Sequence, residues 1–201
     1  TPQRKDGHHP IIIMQCGPIR HRVDAKAQAL ARPFNHVVIP RPTNFRLAPS
    51  SRKPEMHELY AALAGNKARN DLICVDLMRA IKASRSPILL TERTSQVDEF
   101  ATRLAGLVKH IVVLKGGMGA KQRRAVAEHL ASIPDREERV LLATGRYIGE
   151  GFDDARLDTL FLAMPISWRG TLQQYVGRLH RLHDRKREVI VYDYVDDCVP
   201  V

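Results

Sequence analysis

The amino-acid sequence predicts an α/β domain built on a doubly wound, mainly parallel sheet. From about residue 55 onward, short apolar runs rich in Val, Ile and Leu alternate with longer segments of helical composition. The apolar runs are continuous, which is typical of parallel strands that are buried on both faces. Repeated strand-then-helix units form open sheets with helices on both sides. Because ligands of such folds bind at the carboxyl ends of the strands, we expect functional residues in the loops that follow them.

The first fifty residues have a different pattern, which we interpret as a connector with its own strands. Residues 11–16 form an apolar run that has the length of a strand, and residues 24–32 are rich in alanine, which favours a short helix. Residues 33–47 contain a further strand that includes Pro40 and Pro42. Because proline cannot donate a ladder hydrogen bond, this strand is expected at a sheet edge or in a crossing segment.

Ten elements are predicted after the connector. They are helices at 55–63 and 70–83, a strand at 87–90, a helix at 95–107, a strand at 110–114, a helix at 120–132, strands at 139–143 and 157–163, a helix from Thr171 and a strand at 188–194. Thr94 or Ser95 is the expected N-cap of the third helix, since a hydroxyl oxygen can accept from a free amide of the first turn.

The composition describes a basic globular protein. Hydrophobic residues make up 44% of the 201 residues, enough for one core domain with an appended segment. Lys and Arg number 32 against 22 Asp and Glu, which gives a formal net charge of +10. A polyanion is therefore the expected partner, with nucleic acid ahead of an acidic membrane surface. No apolar run approaches the about 18 residues of a membrane span.

The cysteines indicate neither a disulfide framework nor a zinc site. They are odd in number, far apart and without a CxxC pair, at Cys16, Cys74 and Cys198. The histidines near Cys16 match no usual spacing of metal ligands, so no metal site is predicted in this chain. Free thiols suit a reducing compartment, and we expect a cytoplasmic protein, associated with the nucleoid if the source is bacterial.

The most informative segment reads QQYVGRLHRLHDRKR and lies near the C-terminus. Gln174, Gly177, Arg178 and Arg181 have the spacing i, i+3, i+4 and i+7, so on a helix they share one face. Thr171 is the predicted N-cap, with Gln174 closing a capping box. A glycine inside a helix costs about 1 kcal/mol, which suggests that another group approaches the backbone there. Two neighbouring arginines suit phosphate oxygens; the alternative is a basic amphipathic helix whose arginines only face solvent.

The loop after the strand at 139–143 has a composition suited to phosphate or sugar. It reads TGRYIGEGFD, and three glycines within seven residues leave backbone amides available. Thr144 at the strand end could contact a nucleic-acid phosphate, and Asp153 could accept from a ribose hydroxyl. The alternative is an ordinary glycine-containing turn.

Two further strand-end loops suit a nucleic-acid backbone. The segment after residue 114 reads KGGMGAKQRR and departs from the phosphate-loop pattern GxxxxGK[ST], because Gly119 is followed by Ala-Lys-Gln. A glycine turn that opens a basic helix suits nucleic-acid phosphates better, although a solvated helix start is an equal alternative. The segment TERTS, from Thr91, opens another helix whose N-terminus could bind phosphate.

The order and spacing of these motifs resemble those of the superfamily 2 helicases. LLATGRYIGEGFDDARLDTLFLAMP (141–165) followed by QQYVGRLHR (173–181) is similar to motifs V and VI. Residues 91–104 resemble the motif IV region and residues 115–124 the glycine turn that follows it, while Thr1-Pro2 resembles the tail of motif III. Within the superfamily, the wording resembles DEAD/DEAH-type proteins related to type III restriction Res subunits and to the xeroderma-pigmentosum-type repair helicase.

The resemblance implies that the chain is one half of a two-domain ATPase. Family members bind ATP in the cleft between two RecA-like domains. Residues 1–54 would be the end of domain one and the connector, and residues 55–201 the C-terminal RecA-like domain. The chain contains no GxxxxGK[ST] phosphate loop and no Asp-Glu-x-His box for Mg²⁺. Both would lie upstream of Thr1, so we expect the isolated chain not to hydrolyse ATP.

The resemblance also assigns roles to individual residues. Arg181 would be the arginine finger on the γ-phosphate, with Arg178 beside it, and Gln174 would help to order the attacking water. ATP contacts are assigned to Gly151, Asp153, Gly177, Arg178 and Arg181. Contacts to the nucleic-acid backbone are assigned to Arg93, Thr94, Gly116, Gly117, Lys121, Thr144 and Gly145.

These roles imply the motor half of an ATP-dependent DNA helicase or translocase. Its cofactor would be ATP with Mg²⁺ held by domain one, and its partners would be DNA, domain one itself and restriction or repair proteins. The preference for DNA over RNA depends on the restriction- and repair-type resemblance alone. One alternative is a non-catalytic nucleic-acid-binding or scaffold module of the same fold, and another is the motor subunit of a restriction complex. The intact set of Gly177, Arg178 and Arg181 favours a motor.

Overall fold

A computed structural model of the protein describes residues 9–20, 32–47, 54–145, 147, 154–166 and 169–199. The helices are α1 (His9–Cys16), α2 (Met56–Gly65), α3 (Lys67–Lys82), α4 (Thr94–Leu104), α5 (Ala120–Ser132) and α6 (Arg169–Leu179). The strands are β1 (Asn35–Pro42), β2 (Pro87–Thr91), β3 (His110–Leu114), β4 (Arg139–Thr144), β5 (Thr159–Leu162) and β6 (Glu188–Val195). The predicted helix at 24–32 falls, apart from its last residue, outside the described residues.

These strands form a single six-stranded sheet in the order β1-β6-β5-β2-β4-β3. Every pairing between neighbouring strands is parallel. All five residues of β2 and all six of β4 are buried, as expected for strands covered on both faces. The predicted α/β class with a doubly wound parallel sheet is therefore confirmed.

Helices cover both faces of the sheet, and successive strand residues point to opposite sides. On one face, Leu90 and Leu141 belong to a core with Tyr175 and Leu179 of α6. On the other face, Leu89 and Leu142 pack with side chains of α3 and α4, among them Ile73, Leu77, Val97 and Phe100. A third, smaller cluster joins α2 to the segment that follows β6 through Leu63, Phe45 and Val199. The core thus places α6 on the face opposite α3 and α4.

Strand β1 lies at the edge of the sheet and pairs only with β6 among the described strands. Its register runs from Asn35 opposite Glu188 to Pro42 opposite Val195. Pro40 and Pro42 therefore occupy an edge strand, as their missing amide protons require, and this prediction is confirmed. The proposed boundary at residue 54 stays a prediction, although β1 belongs to the same sheet as the strands that follow it.

The prediction of a strand at residues 11–16 is wrong, because the run forms helix α1. The periodicity of a short apolar run fits a strand and a helix equally well. The described sheet consists of β1 to β6 and does not include this run. Gly17 has φ +78°, so the helix is followed by a left-handed residue that glycine adopts without steric cost. Ile11 and Met14 remain largely exposed, at 51% and 81%.

Two predicted helix caps are also wrong. Helix α4 begins at Thr94 with Arg93 at the N-cap, whose side chain makes no capping hydrogen bond, and the Arg93 amide donates to the Thr91 hydroxyl at 3.2 Å. Helix α6 begins at Arg169, two residues before Thr171, which excludes a capping box between Thr171 and Gln174. A Thr-x-x-Gln pattern suits the interior of a first turn as well as a cap, so it does not define where a helix starts.

Candidate functional site

The carboxyl edge of the sheet brings three of the predicted nucleic-acid-binding loops together. Strand β4 lies between β2 and β3, so the loops that leave these three strands are neighbours. The Gly116 amide donates a hydrogen bond of 2.7 Å to Oγ1 of Thr144, across 28 residues of sequence. Thr144 itself is only 6% exposed. Its hydroxyl therefore holds the glycine turn in place beside the end of β4.

The loop after β2 is held by a buried polar network. The Thr91 hydroxyl donates to Oε1 of Gln96 at 2.5 Å, and the Gln96 amide donates to Oδ1 of Asn70 at 3.0 Å. These three side chains are at most 2% exposed. The Arg93 guanidinium donates to the His57 carbonyl at 3.1 Å and stays partly exposed. The network fixes the start of α4 and leaves the Arg93 cation at the surface.

The loop after β3 is a glycine turn that leads into a basic helix. Gly117 has φ +86°, a conformation that other L residues rarely adopt. The Gly119 amide donates a hydrogen bond to Oε1 of Gln122 at 3.1 Å. Lys121 and Thr94 are exposed, and neither has a polar partner within the described part of the chain. An exposed lysine beside a preformed turn can contact a phosphate without losing an ion pair.

Gly145 is the point at which these loops meet helix α6. A Cβ atom at this position would overlap the Tyr175 hydroxyl oxygen and lie 2.8 Å from Oε1 of Glu92. Tyr175 is 4% exposed. Burial, followed by the negative charge of Glu92, raises the pKa of Tyr175 to about 12. Sequence reasoning missed Tyr175 and Glu92, because no motif links a tyrosine in α6 to a glutamate after β2.

The predicted arginine pair lies at the C-terminal end of α6. The helix ends at Leu179, so Arg178 is in its last turn and Arg181 lies two residues beyond it. The prediction that Arg181 shares a helical face is therefore wrong. The His180 amide turns back to the Gly177 carbonyl at 3.3 Å, which closes the helix before Arg181.

The surface beside the arginine pair is open at Gly177. A Cβ atom at Gly177 would meet nothing within 4 Å, so the close approach suggested by this glycine is not made by the described residues. Arg178 is partly exposed and has no ion-pair or hydrogen-bond partner in the described ranges. Arg181 is exposed. Exposed guanidinium groups can bind the oxygens of a phosphate.

A buried basic and aromatic cluster supports this end of α6. The Lys186 ammonium donates to the carbonyls of Leu179 at 2.7 Å and Arg181 at 2.8 Å, and it lies 5.6 Å from the centroid of the Phe34 ring. Burial lowers the pKa of Lys186 to about 8, against the opposing influence of two aspartates, Asp158 and Asp154. Phe34 directly precedes β1, and the Asn35 amide donates at 3.1 Å to the carbonyl of Arg187, which directly precedes β6.

His180 lies in the same cluster with its ring edge-on to His36, at 4.7 Å between centroids. Its Nε2 atom is buried and has no partner in the residues that the structure describes. Burial, followed by the positive charges of His36, Arg32 and Lys186, lowers the pKa of His180. Sequence reasoning did not single out His180 or Lys186, whose roles depend on the tertiary fold.

The structure therefore separates the predicted contacts into two regions. The residues assigned to nucleic acid lie around the carboxyl ends of β2, β4 and β3, and the arginines lie where α6 approaches the amino ends of β1 and β6. Gln174 is within α6, while Gly151 and Asp153 lie outside the described residues, and the roles of all three stay predictions.

Neither a metal cluster nor a membrane-spanning helix is found among the described residues. No group of three or more His, Cys, Asp or Glu side chains in those ranges could hold a metal ion. No helix within them combines the length and apolar character that crossing a membrane requires.

Sequence comparisons give little information about this chain. No protein-family model matches it. Over 62 residues it is 40% identical to the Uncharacterized protein 108L of Invertebrate iridescent virus 3, a match that covers 31% of this chain and 56% of that protein.

Solved structures resemble the chain much more extensively. T4 UvsW matches 83% of this chain with a TM-score of 0.62 and 16% identity. The C-terminal part of the Fun30 ATPase domain matches 70% with a TM-score of 0.56 and 14% identity. Domain 2 of the DEAD-box helicase Mss116p, solved bound to an RNA duplex, matches 81% with a TM-score of 0.53 and 14% identity.

These likenesses show the fold. The chain has a RecA-like α/β fold, which it shares with T4 UvsW, the C-terminal part of the Fun30 ATPase domain and domain 2 of Mss116p, and the predicted fold class is confirmed. It spans 33% of the T4 UvsW chain, 50% of the Fun30 chain and 54% of the Mss116p chain. A particular relationship to restriction Res subunits or to repair helicases stays a prediction.

Proposed function

We propose that this chain is the C-terminal motor domain of an ATP-dependent helicase or translocase. In this proposal it contributes arginines to a nucleotide held by a preceding RecA-like domain and grips one nucleic-acid strand with its strand-end loops. The chain contains no phosphate loop and no Mg²⁺-binding box of its own, so the isolated chain is proposed to be inactive as an ATPase.

The observation that carries the proposal is the meeting of three loops at one edge of a RecA-like sheet. The Gly116 amide bonds the Thr144 hydroxyl, and Gly145 packs against Tyr175 of α6. Arg178 lies in the last turn of the same helix, and Arg181 lies two residues beyond its end at Leu179. A polyanion at the strand ends and a phosphate beside the arginines would thus be connected through α6. This connection supports a motor in which occupancy of one surface influences the other.

The arginine pair has the chemistry that phosphoryl transfer requires. Negative charge spreads over the phosphoryl oxygens in the transition state, and a positioned arginine is worth about 10³–10⁵ in rate in enzymes where it has been assessed. Arg178 and Arg181 would hold these oxygens, and closure of the two domains would bring them to the nucleotide. Mg²⁺ would neutralise phosphate charge from its site in the preceding domain.

For the nucleic-acid substrate, the proposal is a sequence-independent grip on the phosphate backbone. Arg93 and Lys121 present cationic groups beside the Gly116–Gly117 turn, and such groups contact phosphates rather than read base edges. The motif wording resembles restriction- and repair-type proteins, which favours DNA. The RNA duplex bound by domain 2 of Mss116p makes RNA the alternative to test.

The test is ATP hydrolysis by the longer protein that joins this chain to its native upstream region. Turnover is measured without nucleic acid, with DNA and with RNA, for the wild type and for Arg181→Ala. We expect nucleic acid to stimulate turnover and Arg181→Ala to lower the stimulated kcat by about 10³-fold or more. Circular dichroism establishes that the variant is folded.

Each outcome has a defined meaning. Absence of wild-type turnover, despite an intact upstream phosphate loop, would support a scaffold of the same fold and contradict the motor. Normal turnover by Arg181→Ala would show that the end of α6 has been misassigned. Lys82→Ala is the control, because Lys82 is an exposed cation at the end of α3, on the other face of the sheet.

A further inference from the structure

Lys186 is a buried cation that the assignment of motor residues does not use. It is 5% exposed, and its ammonium donates to the carbonyl oxygens of Leu179 and Arg181. No carboxylate lies within ion-pair distance of it in the described ranges. Its third neighbour is the Phe34 ring, 5.6 Å from the ammonium. The groups in direct contact with the cation in those ranges are therefore the carbonyl dipoles at the end of α6 and the face of an aromatic ring, while Asp158 and Asp154 act on it from a greater distance.

Burial of the Lys186 ammonium costs free energy. Burial of an ammonium without an ionic partner is strongly unfavourable, and the lowered pKa of Lys186 reflects that cost. A neutral side chain of similar volume would avoid it. The compensation is local: the last carbonyls of a helix have no intrahelical partner, and a cation at this end also interacts favourably with the helix dipole.

The two carbonyls that accept hydrogen bonds from Lys186 belong to the backbone around the predicted arginine pair. Leu179 directly follows Arg178, and the other carbonyl belongs to Arg181 itself. Between them the chain leaves the helix, which ends at Leu179. Lys186 thus spans the point at which α6 ends and ties both sides of it to the segment that leads into β6.

We propose that Lys186 is a positioning residue that sets the backbone of Arg181 so that its guanidinium is held at the nucleotide phosphate. The inference rests on the proposed function, since it takes Arg181 as the group that acts on phosphate. Lys186 reaches no substrate itself. A displacement of about 1 Å in a catalytic group can cost on the order of 10²-fold in rate, so a single ammonium at this position has a measurable effect.

The test is a double-mutant cycle in the longer ATPase, with Lys186→Met, Arg181→Ala and the double variant. Single-turnover rate constants with nucleic acid present are compared, because they remain measurable for slow variants. We expect Lys186→Met to lower the rate about 10–100-fold while the KM for ATP changes by less than about twofold. Because Lys186 acts through Arg181, the double variant should be no slower than Arg181→Ala alone.

Three results would overturn the inference or its premise separately. Multiplicative effects in the double variant would show that Lys186 acts independently of Arg181, and an unchanged rate for Lys186→Met would exclude a positioning role. A full rate for Arg181→Ala would instead contradict the proposed function. Lys186→Gln, which keeps a shorter donor, is measured in parallel and carries the same cycle if Lys186→Met does not fold.

A destabilised control separates positioning from loss of stability. Asp76→Ala removes a buried carboxylate on the opposite face of the sheet, remote from the end of α6. At a temperature where every variant is folded, Asp76→Ala should retain the wild-type rate. If it loses as much activity as Lys186→Met, general destabilisation accounts for both effects and the positioning role is rejected.

Discussion

Gly145 shows how much a single residue can depend on neighbours that are distant in sequence. Its position at the end of β4 follows from the strand pattern, and its place beside Thr144 and the Gly116 turn follows from the order of parallel strands. The need for glycine has a different origin, since Tyr175 and Glu92 occupy the space where a side chain would stand. That contact involves three separate segments, which local patterns do not relate to one another.

Replacement of Gly145 by alanine should therefore destabilise the domain. The added methyl group would overlap the Tyr175 hydroxyl, and overpacking of this kind costs about 1–3 kcal/mol. Tyr175→Phe removes the hydroxyl and leaves Cζ 3.2 Å from the new methyl, so the double variant should recover much of the loss. Urea unfolding of both single variants and the double variant measures the effect. Equal stability of Gly145→Ala and the wild type would contradict the close approach.

At the scale of elements, agreement between sequence and structure depends on how clearly the ends are marked. The bounds of β3 and α5 agree with the sequence prediction, because a glycine turn separates a continuous apolar run from a helical segment. The prediction of a strand at 11–16 was wrong, since apolar character alone does not distinguish a helix from a strand. The end of α6 before Arg181 could not be read from spacing, because the contacts of the Lys186 ammonium with the carbonyls of Leu179 and Arg181 exist only in the folded chain.

Helix α3, β1 and β6 are joined by one carboxylate. Asp76 is 2% exposed and accepts from Nε of Arg41 at 2.8 Å and from the Tyr194 hydroxyl at 3.1 Å. Asp76→Ala should lower the free energy of unfolding by roughly 3 kcal/mol, since it leaves the buried Tyr194 hydroxyl and the partly buried Arg41 guanidinium without their acceptor. Chemical denaturation monitored by circular dichroism provides the measurement.

Asp71→Ala is the matched control on the same helix. The Asp71 side chain is 53% exposed and pairs with Arg103, and an ion pair of this exposure contributes about 1 kcal/mol or less. If the two variants lose equal stability, the carboxylate of Asp76 does not join these elements in the way that the contacts indicate.

For the whole molecule, composition and topology carry different information. The alternation of strands and helices was enough to predict the sheet and the loops that meet at its edge. The formal charge of +10 indicates a polyanionic partner but not where it binds. The strand-end loops and the arginine pair lie near opposite ends of α6. This arrangement exists only in the folded chain, because the helix runs back across the sheet between them.

The charge leads to a prediction about salt. We expect the affinity of the chain for a labelled single-stranded oligonucleotide to fall about 10–100-fold between about 50 and 200 mM salt, as contact with a few phosphates implies. Fluorescence anisotropy measures the affinity. Lys121→Ala should reduce the slope of log Kd against log salt by about one, whereas Lys82→Ala should not. A slope near zero for the wild type would argue against phosphate contacts.

The pairing of β1 with β6 has a consequence for synthesis on the ribosome. Asn35 lies opposite Glu188, so β1 cannot pair with β6 until about 150 further residues have been synthesised. At translation rates of about 5–20 residues per second, this delay is about 8–30 seconds. During that interval the nascent chain carries an unpaired edge next to β5, the position that β6 later fills. Chaperones that recognise exposed strands would therefore bind this protein chiefly during its synthesis. The sheet is complete only after β6 has emerged from the ribosome and paired with β1 and β5.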